Sequence, residues 1–77
     1  MSSGVFYVLH WSGWLCVVDA VAATHNAAEG LLIKAEQASP YPVQYEIHDG
    51  LPWGNPIFMT EQAKHQLNLL RTHCVIP

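Results

Sequence analysis

The sequence predicts an α+β fold: a two-layer β-β-α-β-α domain in which a small antiparallel sheet carries two helices on one face. Three observations point to it. Residues 5–10 and 14–21 are rich in Val, Phe, Tyr, Leu and Trp, the types that fit a pleated surface, and they flank Ser12-Gly13. Residues 27–38 and the stretch after Thr60 repeat apolar side chains at helical spacing. VQYEIH, residues 43–48, alternates apolar and polar side chains as a half-exposed strand does. No linker or internal repeat divides residues 1–77, so they read as one domain.

The hairpin tip lies within LHWSGWLC, residues 9–16. A two-residue loop Ser12-Gly13 fits poorly. Type I′ needs positive φ at Ser12, and type II′ wants glycine first. A three-residue loop, with Trp11 and Ser12 in a type I turn and Gly13 left-handed, uses the glycine better. That register sets His10 opposite Trp14, Val8 opposite Cys16 and Phe6 opposite Val18, with Tyr7, Leu9, Leu15 and Val17 on the other face. Both faces are then apolar, and one is left over for a partner.

In THNAAEGLLIKAEQASP, Asn26 is the expected helix cap, with Glu29 three residues on to reach back. The helix should run over 27–38 and bury Ala28, Leu31, Leu32, Ala35 and Ala38, turning Glu29, Glu36 and Gln37 outward. Gly30 costs up to about 1 kcal/mol relative to Ala in a helix, which suggests that backbone packs on backbone there. Ser39-Pro40 ends the helix. Strand 43–48 follows, with Val43, Tyr45 and Ile47 on one face. DGLPWGNP, residues 49–56, is irregular by composition. After a short extended piece at Ile57 and Phe58, Thr60 caps a second helix whose buried stripe is Ala63, Leu67, Leu70 and Cys74. CVIP is either a last short strand or a free end.

Composition narrows function. The formal charge is −3, with six scattered acids and three bases, too few cations for the phosphate contacts of direct nucleic-acid binding. The apolar run 5–23 is broken by His10, Ser12-Gly13 and Asp19, and MSSG supplies no basic start, so neither a membrane span nor a signal peptide is expected. Two cysteines and no basic leader point to a cytoplasmic protein with reduced thiols. At 51% apolar and 12% charged residues the chain is apolar-rich for a monomer, and a homodimer is one expected outlet.

No motif carries catalysis. Cys16 sits mid-strand, where a thiol packs as a small hydrophobe, and Cys74 has only His73 nearby. The five histidines (His10, His25, His48, His65, His73) show no spacing that chelates metal, and phosphate-binding glycine motifs are absent. No catalytic residue, cofactor or metal is expected. Glu46, His48 and Asp49 read better as a solvated strand end than as an acid-base centre. The remaining signal is aromatic: Trp11 and Trp14 at the turn and Trp53 in the irregular loop, with Glu46, His48 and Asp49 as a polar rim, make the expected partner-binding surface. The function expected is that of a small non-enzymatic binding protein, an inhibitor or modulator of a larger complex. Phage and mobile-element inhibitors such as anti-CRISPR proteins are analogous in size, not in residues. A small metal-binding or Cys/His enzyme and a homodimeric structural subunit are the alternatives.

Overall fold

In the computed structural model of the chain, which describes residues 4–73, β1 (Phe6–Ser12) and β2 (Leu15–Ala22) form the expected antiparallel hairpin. Its turn is Gly13-Trp14, with Ser12 opposite Leu15. Gly13 has φ +63°, and no non-glycine residue among those described has positive φ. Positive φ at the first central residue only is the type II′ pattern, and that position favours glycine. The three-residue loop is therefore corrected by one position. His10 faces Val17, Val8 faces Ala20 and Phe6 faces Ala22.

The ladder shifts between Val8 and Leu9: Val8 pairs with Ala20 but Leu9 pairs with Val18, leaving Asp19 as the extra residue of a β-bulge. The bulge changes which β2 residues share a face. Cys16, Val18 and Val21 join Val5 and Leu9 in one core cluster, and Ala20 and Ala22 join Val8 in another. Val17, opposite His10, leaves the Leu9 face on which it was expected.

Helix α1 (His25–Ala38) is capped by Thr24 rather than Asn26: the Thr24 hydroxyl accepts from the Ala27 amide at 3.1 Å. Its Ala28 is buried, and Leu31 and Leu32 pack on Val8, Ala20 and Ala22. Ala38 is exposed, so the stripe ends before it. Gly30 is exposed too, and a Cβ built there meets nothing within 4 Å, so no backbone packs against it. Helix α2 (Glu61–His73) starts from Thr60, whose hydroxyl accepts from the Ala63 amide at 3.2 Å. Ala63, Leu67 and Leu70 pack with Leu9, Cys16 and Val18. Cys74 and the CVIP end lie outside the described residues.

Strand β3 (Glu46–His48) pairs antiparallel with β1, and β4 (Ile57–Met59) pairs parallel with β2, giving the order β3-β1-β2-β4. The α+β class holds, and three details of the arrangement differ. The sheet is mixed, because the extended piece at 57–59 docks as a fourth strand. The third strand is shorter than 43–48, although Tyr45 and Ile47 still turn inward to the α1 cluster. The helices cover opposite faces, because α1 packs into the Val8 cluster and α2 into the Leu9 cluster. A hairpin apolar on both faces takes a helix on each. The uncovered face from which self-association was expected is thus occupied.

Two crossovers complete the wrap. Helix α1 links the parallel strands β2 and β3 over one face, and residues 49–56 link the parallel strands β3 and β4 over the other, where Leu51 packs against the Leu9 cluster. They run in opposite directions on opposite faces, so they share one hand. No helix among the described residues is long and apolar enough to cross a membrane.

Candidate functional site

The aromatic end of the sheet grows out of the hairpin turn. Trp14 is the second residue of the type II′ turn and is 84% exposed, while Trp11, opposite Cys16, stands at the last rungs of the ladder. β4 reaches the same end because its pairing with β2 begins at Cys16, whose amide donates to the Pro56 carbonyl at 3.0 Å. In a parallel ladder the amide of residue 56 would serve the Trp14 carbonyl, but proline has no N–H. Asn55 Nδ2 supplies the donor instead, at 3.3 Å. The loop carrying Trp53 is thereby tied to the turn carrying Trp14. Trp53 itself is 96% exposed, and Ile57 and Phe58 extend the apolar surface along β4.

Beside this end stands a polar cluster. Residues two apart on a strand share a face, so Glu46 and His48 point the same way. Glu46 Oε1 accepts from Trp11 Nε1 at 3.4 Å and lies 2.8 Å from His48 Nε2. The hydrogen bond from His48 holds the Glu46 carboxyl below its ordinary range, with Trp11 adding to the effect and partial desolvation opposing it. Of the six expected contact residues, Trp11, Glu46 and His48 thus form one hydrogen-bonded group. Trp14 and Trp53 are joined through Asn55. Asp49 is exposed but follows His48, which pairs with Tyr7, so it lies at the end of β3 away from the turn.

Sequence reasoning missed a second arrangement. His10 Nδ1 lies 2.6 Å from Asp19 Oδ2, with both side chains only 23% and 22% exposed. Tyr45 meets the His10 ring edge-on, centroids 5.5 Å apart. Asp19, Lys34, Tyr45, Thr60 and Gln62 border a cavity of about 520 Å³ between the sheet and α1. The signal in the sequence was the pair of polar interruptions in an apolar hairpin. Their meeting follows from the hairpin register: Val17 faces His10, and Asp19, two residues on, shares the Val17 face. An imidazole held at Nδ1 by a carboxylate keeps Nε2 for proton exchange or a ligand.

Cys16 is fully buried, and burial first, then the charges of Glu46 and Asp19, push its thiol upward, the reverse of what a thiolate nucleophile needs. Among the described residues no three His, Cys, Asp or Glu side chains converge as a metal site would require. No protein-family model, curated protein or solved structure matches the chain, so its functional reading rests on this geometry.

Proposed function

We propose that the protein is a non-enzymatic binding protein that associates with a larger protein complex and inhibits or modulates it, as small phage-encoded and mobile-element inhibitors such as anti-CRISPR proteins do. One observation supports this above the others. Trp14 and Trp53, at 84% and 96% exposed, lie on the turn and the loop that the Asn55 hydrogen bond ties together at one end of the sheet. Large apolar side chains grouped in the open mark contact sites, and tryptophan is the residue most enriched among interface hot spots. The Trp11–Glu46–His48 group supplies the polar flank that surrounds such anchors.

The test is affinity capture from the native host with wild type and with Trp14→Ala, Trp53→Ala and Trp11→Ala. A specific partner should be captured by wild type, and its affinity should fall by roughly 2 kcal/mol, about thirtyfold, in at least one tryptophan variant that keeps its fold. Equal capture by all three variants would overturn the reading. A second reading, a small enzyme or ligand-binding protein, draws on the His10–Asp19 pair beside its cavity. His10→Ala with loss of function but normal partner capture would favour it.

A further inference from the structure

The two outer strands of the sheet are unlike. β3 carries the Glu46 carboxylate and the His48 imidazole, polar side chains of the kind that blunt an edge against further pairing. β4 reads Ile57-Phe58-Met59, and residues 50–60 contain no Asp, Glu, Lys or Arg. It has neither bulge nor charge to protect it.

The ladder shows which backbone groups β4 turns outward. Cys16 N donates to Pro56 O at 3.0 Å and Thr60 N donates to Val18 O at 3.1 Å. Alternate residues of a strand face the same neighbour, so residues 56, 58 and 60 serve β2, while the N–H and C=O groups of Ile57 and Met59 point away from it. Among the described residues no strand lies on that side. Pro56 is no obstacle, because its missing donor falls on the β2 side, where Asn55 replaces it.

We propose that β4 pairs antiparallel with β4 of a second copy about a two-fold axis through Phe58, joining two sheets into one. This goes beyond the binding reading above and does not depend on it. The outward groups dictate the register. Ile57 of each copy exchanges both backbone hydrogen bonds with Met59 of the other, four bonds in all. Phe58 then faces its own copy at a non-hydrogen-bonded position, where Cα atoms come within about 4.5 Å and side chains meet. A one-residue slip would aim the pairing at groups already used by β2.

A second copy is the occupant that suits this edge. A chain of charge −3 repels itself, and a charge-free edge is where two copies meet at least cost. Self-pairing is isologous, so one patch satisfies both sides. Ile57 and Phe58, at 39% and 54% exposed, are the large exposed apolar side chains of this edge. Two such short strands bury less than the roughly 1,000 Å² of a stable interface, so the dimer is weak and concentration-dependent.

Sedimentation equilibrium from micromolar to millimolar concentration tests the proposal, with thermal melts to confirm folding. Wild type should show a reversible monomer–dimer equilibrium. Ile57→Pro removes an outward donor and leaves the bonds to β2 intact, so symmetry deletes two of the four bonds and the dissociation constant should rise at least about tenfold. Phe58→Glu, at an exposed side chain, should leave only monomer by setting two carboxylates face to face. Glu46→Asp on the opposite edge, which keeps the net charge, should leave the equilibrium unchanged. Wild type that stays monomeric at millimolar concentration, or a dimer that survives both β4 variants, would overturn the proposal. Trp11→Ala or Trp14→Ala variants that lose a partner while still dimerising would separate this edge from the heteromeric surface.

Discussion

Glu46 shows how much a single register position can decide. It faces Leu9 across the ladder, two residues before His48 on the same strand face, and this alone brings its carboxylate to His48 and to the Trp11 indole. Because its folded pKa is lowered, the stabilisation is present above the ordinary carboxylate range and is lost as pH falls through the lowered value. A carboxyl titration followed by NMR should place Glu46 below an ordinary glutamate, and His48→Ala should raise it; an unchanged midpoint would remove His48 as the cause. Cys16 behaves in the opposite sense. Its thiol is raised by burial, so the neutral form is stabilised at neutral pH and that contribution disappears as pH rises through the raised value. Alkylation of the native protein at Cys16 should be slow at neutral pH. Cys16→Ser should cost about 1–3 kcal/mol by placing a hydroxyl in the Leu9–Val18 cluster, measured by urea unfolding.

At the level of elements, two glycines separate geometry from propensity. Gly13 and Gly30 both have open space where a Cβ would sit, but only Gly13 has positive φ. Gly13→Ala should therefore destabilise by about 1–3 kcal/mol through backbone strain at the turn. Gly30→Ala should stabilise by about 0.5–1 kcal/mol, because alanine is the better residue in an exposed helix. Thermal melts showing the same sign for both would contradict the II′ assignment. These elements also mark what the sequence made legible. Both helices were readable because Leu31 and Leu32, and Ala63, Leu67 and Leu70, recur at the helical period, and β1 and β2 because their composition is strongly that of strands. The turn was misread by one residue, since the choice between loops hung on whether Gly13 came first or last. β4 was too short for alternation to show. The exposed tryptophans were identifiable by type alone, whereas the His10–Asp19 pair needed the hairpin register, which a one-residue shift of the turn reverses.

Across the whole molecule the two apolar faces of the hairpin give two cores, and the bulge decides which β2 residues enter each. β1 and β2 contribute Leu9, Cys16, Val18 and Val21, with Val5 just before β1, to the side under α2, and Val8, Ala20 and Ala22 to the side under α1. A sequence apolar on both sides of its hairpin is equally compatible with one helix per face or with two helices on one face and a partner on the other, which is why the helix placement could not be read from it. The two arrangements differ in energetic coupling. If both helices shared a face, leucines on α1 and α2 would touch, and truncating both would give a non-additive loss. In the observed fold Leu32 packs only into the Val8 cluster and Leu67 only into the Leu9 cluster. Leu32→Ala and Leu67→Ala, both half-buried, should each cost about 1–3 kcal/mol, somewhat below the range for a fully buried leucine. Their double variant should lose the sum of the two within about 0.5 kcal/mol. Because the same two strands form the floor of both cores, unfolding should nevertheless remain one transition with an unchanged denaturant slope. By contrast, Leu67→Ala combined with Val18→Ala, two residues of one cluster, should depart from additivity. Urea unfolding of the three single and two double variants distinguishes the cases, and strong coupling between Leu32 and Leu67 would mean that the helices share a face.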